Sequence, residues 1–199
     1  MSCAHPIQFK GSLIAQKLLQ LLGWKCFFKG LPQAHGVLIF YPHTSNWDFI
    51  IGILAKWAMG AQFNFLAKHT LFQIPVLGAW LKYVGGMPII RSAPQGYVQD
   101  LIDQMGQRPY FWVAIAPEGT RGKTPGWRSG FYRLATGAGV PVGMAYLDYK
   151  RKEIGLTEFF TPTGDADKDL ITFRDFYASK CGFSSDLAAP IVFWTPPKE

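Results

Sequence analysis

The block from Gly36 to Met59 limits the folds open to this chain more than any other stretch. Gly36-Val-Leu-Ile-Phe-Tyr41 is a short apolar run with turn residues upstream, which predicts a strand buried on both faces. Pro42-His-Thr-Ser-Asn-Trp-Asp48 is a polar loop. Asp48–Met59 carries only Asp48 and Lys56 as charges and is long enough for a buried helix, with Asp48 in its first turn. Ser45 or Asn46 is the natural N-cap, because either side chain accepts from the free N–H groups of a first turn. A buried strand followed directly by a buried helix needs partners on both sides, a demand that layered α/β sheets meet.

The rest of the chain repeats the alternation. Strands are predicted at Gln62–Ala67, within Gly85–Arg91, at Pro109–Ala116 (the most apolar), and at Val140–Leu147. Glu153–Phe160 reads as an antiparallel edge strand after the turn at Asp148–Lys152. Helices are predicted at Gln95–Gln107, at Ser129–Ala138 ending on Gly139, and at Asp165–Cys181, where acids open the segment and Lys180 precedes Gly182. Leu71–Tyr83 holds Pro75 and Gly78, so its helices must be short or bent. The expected fold is a single α/β domain with a mixed, mostly parallel sheet flanked by helices, plus an N-terminal amphipathic helix. In such sheets ligands bind beyond the carboxyl ends of strands. His43, Arg91 and Glu118–Arg121 all follow predicted strands and are expected to converge there.

Composition narrows the class. Apolar residues make up 49% of the 199 residues and charged ones 17%, too apolar for disorder. Cys3, Cys26 and Cys181 are far apart, so neither a metal site nor a disulfide framework is expected, and a reducing cytosol is. No stretch of 18 apolar residues appears and the N-terminus lacks a signal-peptide pattern, so no transmembrane helix is expected. Residues 1–99 hold eight Lys/Arg and one acid, Asp48, an excess of seven that equals the whole chain's +7. A basic, aromatic-rich half fits an anionic membrane. Nucleic acid fits less well, because the basic residues are thinly spread and no recognition motif accompanies them. Residues 7–28 read as an amphipathic helix, with Gly11 and Gly23 as its expected points of breakage, Ile14, Leu18, Leu21 and Leu22 on one face, and Trp24, Phe27 and Phe28 as interfacial aromatics. That helix either lies in the headgroup plane or packs on the domain. The expected division is 1–30 for the membrane-surface helix and 31–199 for the main domain.

The loop also carries chemistry. Within one helix, five residues would turn His43 and Asp48 roughly 140° apart at ~3.6 residues per turn. A loop that bends into a helix start instead folds the carboxylate back onto the imidazole. Such a carboxylate fixes the tautomer and leaves the second nitrogen free to take a proton. An acid near a helix start is also ordinary capping chemistry. No Gly-x-Ser-x-Gly elbow is present, so the nucleophile is expected to be a hydroxyl brought by the substrate. In Pro117-Glu-Gly-Thr-Arg121, Gly119 permits close backbone approach, Thr120 offers a hydroxyl, and Arg121 offers a planar fork for phosphate. Glu118 is placed to orient Arg121 or to accept from a substrate hydroxyl. Gly122-Lys-Thr124 echoes a phosphate-binding P-loop, but Pro117 stands where that loop needs glycine.

Taken together, His43-Thr-Ser-Asn-Trp-Asp48, Gly86-Met-Pro-Ile-Ile-Arg91, Pro117-Glu-Gly-Thr-Arg121 and Val140-Pro-Val142 resemble, in family order, the motifs of the glycerolipid (lysophosphatidate) acyltransferases. The resemblance implies acyl transfer from a thioester donor, acyl-CoA or acyl-carrier protein, to a lysophospholipid acceptor. It implies His43 as general base, Asp48 as its orienter, and no metal or other cofactor. Asn46, Arg91, Glu118, Gly119, Thr120 and Arg121 would serve the acceptor, and Val140-Pro141 would help wall the acyl site. An anionic membrane surface would be the other partner, met from the cytoplasmic side, with no role for nucleic acid. The chain departs from the family in lacking an aspartate beside Arg91 and in having Gly122 after the Glu-Gly-Thr-Arg segment. A catalytically silent lipid-binding protein on the same fold is the competing reading, and an esterase is disfavoured by the missing serine elbow.

Overall fold

The computed structural model describes residues 7–89 and 96–195. The strands are β1 (Lys25–Phe28), β2 (His35–Tyr41), β3 (Asn64–Lys68), β4 (Gly86–Ile89), β5 (Phe111–Ile115), β6 (Val142–Asp148) and β7 (Glu153–Phe160). They form one sheet in the order β1-β7-β6-β2-β5-β3-β4. Every pairing is parallel except β6 with β7. The most apolar runs, β2 and β5, are neighbours near the centre, where both faces are covered.

The helices are α1 (Leu13–Leu21), α2 (Trp47–Met59), α3 (Leu77–Tyr83), α4 (Tyr97–Gln107), α5 (Gly130–Ala138) and α6 (Ala166–Tyr177). Chain handedness assigns them to layers. The crossovers β2-α2-β3 and β3-α3-β4 step one way across the sheet, while β4-α4-β5 and β5-α5-β6 step back. Right-handed crossovers therefore put α2 and α3 on one face and α4 and α5 on the other. The strand alternation agrees: Val37, Ile39 and Tyr41 of β2 join the α4–α5–α6 core, while Leu38 and Phe40 belong to the clusters on the opposite face. α6 begins as expected, with the Asp165 side chain accepting from Lys168 N–H.

The N-terminal segment departs from expectation. Only Leu13–Leu21 is helical; Gly23, at φ 79°, turns the chain, and Lys25–Phe28 pairs in parallel with β7. β1 is thus the sheet edge, and Glu153–Phe160 is not. The helix breaks at the glycines where a break was expected, but parallel pairing between segments this far apart leaves no local signature, so the strand after Gly23 was not expected. Trp24 is core and Phe28 packs against a separate cluster of Leu31, Leu38, Trp112 and Leu156; Phe27 alone of the three aromatics is exposed. In α1, Ala15 and Leu19 pack on α2, while the stripe of Ile14, Leu18, Leu21 and Leu22 faces outward. The helix is apolar on both sides, so it packs on the domain and still presents a greasy surface. Leu71–Tyr83 divides at Pro75 into a short 3-10 turn, His69–Gln73, and α3. No helix among the described residues is long and apolar enough to cross a membrane.

Candidate active site

His43 sits on the loop between β2 and α2, and Asp48 in the first turn of α2. Asn46 holds the N-cap position, but its side chain makes no capping bond. Ser45 Oγ accepts from Trp47 N–H at 3.2 Å, and Asp48 reaches back into the loop ahead of the helix. Its Oδ2 accepts from the N–H groups of Thr44 (2.8 Å) and Ser45 (2.9 Å) and stands 3.1 Å from His43 Nδ1. One carboxylate therefore ties down the loop that carries His43 and contacts the imidazole. Its Oδ1 accepts from the Tyr149 hydroxyl at 2.7 Å. Asp48 is 1% exposed. Burial pushes its carboxyl up, but the bonds from His43, Tyr149 and Ser45 outweigh this and hold it below the usual range. An ionised carboxylate only accepts, so His43 Nδ1 carries the hydrogen and Nε2 keeps its lone pair. Nε2 has no partner among the described residues, and 17% of the side chain remains exposed.

Glu118 follows β5, and β5 lies beside β2 with Ile115 level with Ile39. The parallel register brings Glu118 up to the His43 loop. Its Oε2 accepts from His43 N–H at 2.7 Å and its Oε1 from Ala189 N–H at 2.9 Å. At 2% exposure both oxygens are committed to the backbone, so Glu118 neither orients Arg121 nor faces a substrate hydroxyl. Burial pushes its carboxyl up to about 7 despite those two bonds, with the Asp48 charge adding to the rise. Glu118 instead holds the His43 backbone.

Gly119, at φ 69°, closes the turn after β5, and a Cβ there would meet Arg128 Nε at 2.9 Å. Thr120 and Arg121 are exposed on the same edge, and Arg121 makes no ion pair among the described residues. Arg91 lies outside the described residues. Lys68, to which no role was given in the sequence reading, ends β3 on this edge and is exposed; the next residue, His69, has a buried Nδ1 with no partner among the described residues. Val140-Pro141 is far from the site. Val142 pairs with Val37, four residues before β2 ends at Tyr41, so the segment lies at the opposite edge, ~13 Å down the strands at ~3.3 Å per residue. It does not wall a site at His43.

Two further contributors were invisible as motifs. Tyr149 comes just past β6, and only the pairing of Tyr146 with Tyr41 brings it level with the His43 loop. Its ring is held edge-on between Trp24 and Phe183. The segment Gly182–Ser184 closes over the loop, with Ser184 N–H donating to Thr44 Oγ1 at 3.1 Å. A Cβ on Gly182 would meet that oxygen at 2.9 Å, so only glycine allows the approach.

A His–Asp pair with one open imidazole nitrogen, at the carboxyl edge of a mostly parallel sheet, is an arrangement able to accept a proton from a hydroxyl. The chain belongs to the acyltransferase family, whose pattern it matches over residues 27–145, a span that includes His43, Asp48 and Glu118–Arg121. A chloroplastic 1-acyl-sn-glycerol-3-phosphate acyltransferase of Brassica napus is 29% identical over 160 residues, covering 73% of this chain and 43% of its own. Another from Arabidopsis thaliana is 28% identical over 108 residues, covering 50% and 29%. The chain thus spans less than half the length of these relatives. The crystal structure of the 1-acyl-sn-glycerophosphate acyltransferase from Thermotoga maritima shares the fold, with a TM-score of 0.54 at 18% identity over 81% of this chain and 72% of that one.

Proposed function

We propose that this protein transfers a fatty acyl group from acyl-CoA or acyl-carrier protein to the hydroxyl of a lysophospholipid such as 1-acylglycerol-3-phosphate, working peripherally on the cytoplasmic face of a membrane. The observation that carries the reading is the 3.1 Å contact of His43 Nδ1 with a buried Asp48 carboxylate, which leaves Nε2 open. His43 Nε2 takes the acceptor hydroxyl's proton as its oxygen attacks the thioester carbonyl. The tetrahedral intermediate then collapses with cleavage of the C–S bond, and the imidazolium returns the proton to the departing thiolate. Asp48 stabilises the imidazolium between these steps. Lys68 and Arg121 are exposed cations at this edge and would receive the acceptor's phosphate, with Gly119 and Thr120 shaping the turn beside it. The names of the relatives support the choice of acceptor.

The test is acyl transfer from both thioester donors to a panel of lysolipids, with His43→Ala beside the wild type. The variant is expected to lose roughly 10²–10⁴-fold in kcat while keeping its circular dichroism. Turnover that survives the substitution removes the general-base assignment. Wild-type protein that binds lysolipids yet acylates none leaves the lipid-binding reading in its place.

A further inference from the structure

Each helix of the α1–α2–α3 layer, or the turn that leads into it, exposes large apolar side chains. α1 turns Ile14, Leu18 and Leu21 outward. α2 lies beside it, joined by Ser12 N–H to Trp57 O at 2.8 Å and Gln16 Nε2 to Ala58 O at 2.9 Å, and turns Trp47 and Ile50 outward. α3 follows on the far side of α2, with Phe49 packed edge-on against Trp80, and ahead of α3 stand Ile74 and Val76.

Val76 is the informative residue. It is 84% exposed and sits at φ 65°, ψ −55°, in a three-residue turn closed by Leu77 N–H to Pro75 O at 2.7 Å. This γ-turn is strained for any L-residue and more so for a β-branched one. Such strain persists where function requires the geometry. Here it holds an isopropyl group out in solvent. Charge identifies what would meet it. The only acid in residues 1–99 is Asp48, which is buried and paired, so the surface contributed by this half carries no carboxylate side chain. Lys17 on α1 and Lys82 on α3 are exposed beside the apolar stripes.

We propose that α1, α2 and α3 form one docking face for an anionic bilayer, with Ile74–Val76 as a wedge entering its acyl region. The inference rests on the membrane reading above and assigns the surface: the N-terminal helix is one of three contacts. The catalytic pair stands at the amino end of α2, directly beside Trp47. Docking by this face brings His43 to the headgroup level, where a lysolipid hydroxyl lies.

The experiment compares wild type with Ile74→Ser/Val76→Gly in sedimentation with phosphatidylcholine vesicles, with and without phosphatidylglycerol. Turnover of a monomeric short-chain lysolipid is measured in parallel. Removing two membrane-buried side chains is expected to lower partitioning onto the mixed vesicles at least about tenfold, with turnover on the monomeric acceptor unchanged. Val76→Gly alone is expected to weaken partitioning while melting no lower than wild type, because glycine relieves the turn. Unchanged partitioning of the double variant overturns the proposal and leaves docking to α1. Equal wild-type partitioning onto neutral and anionic vesicles overturns the anionic bilayer as partner. A wild-type dimer in solution that the double variant dissociates also overturns it, because the face would then be covered by a second copy. If partitioning falls as expected while the wild type acylates nothing, the docking face stands and the acyltransfer reading fails.

Discussion

The carboxylate of Asp48 does three things at once: it ties down the Thr44–Ser45 backbone, orients His43, and anchors Tyr149. Tyr149 is the residue whose contribution is most directly measurable. Its phenol is kept protonated by burial and by the neighbouring Asp48 charge, so it acts as a donor only. Tyr149→Phe retains the ring between Trp24 and Phe183 but removes one bond to a charged group, worth ~1.5–3 kcal/mol. The expected outcome is a fall in kcat of about tenfold with acceptor KM unchanged, and an acid limb of the pH–rate profile moved to higher pH, because Asp48 is then a stronger base toward His43. An unmoved acid limb would show that Tyr149 only packs. At this scale the sequence spoke clearly about His43 and Asp48, because their five-residue spacing across a loop is local. It misassigned Glu118, since a carboxylate that serves two backbone N–H groups looks in sequence like one that serves a ligand.

Glu118 belongs to the scale of elements, because it ties the end of β5 to the β2–α2 loop and to the tail at Ala189. Its carboxyl rises from an ordinary 4.5 to about 7 in the fold. Between those values the native protein holds a proton that the unfolded chain releases, so this group makes stability fall as pH rises through the window. Asp48 and Asp169, both held low, act with the opposite sign and only below about pH 4. Urea midpoints measured from pH 5 to 7 should therefore slope downward in wild type and flatten in Glu118→Gln; an identical slope in both would place the proton elsewhere. The elements themselves were legible where periodicity is strong. β2, β5, β6 and α2 fall within two residues of their expected ends. β1 was not legible, because four residues that alternate exposed and half-buried gain strand identity only from β7.

At the scale of the molecule, residues 13–28 are built into the domain. Leu19 and Trp24 are buried against α2 and β7, and β1 completes the sheet. Deleting residues 1–28 is expected to abolish cooperative urea unfolding rather than merely release the protein from membranes; a deletion variant that unfolds cooperatively near the wild-type midpoint would show the segment to be peripheral after all. The amino-acid sequence by itself determined the α/β class, the His–Asp pair and the basic first half, because hydrophobic period, short-range spacing and net charge are properties of local order along the chain. Only the tertiary structure decided that Glu118 holds the His43 backbone, that Tyr149 and Gly182–Ser184 contact the His43 loop, that Val140-Pro141 lies away from it, and that helices of one layer leave apolar side chains exposed. Each of these depends on which strands lie side by side and in what register, and strand pairing over a hundred residues is settled by the packing of the whole chain.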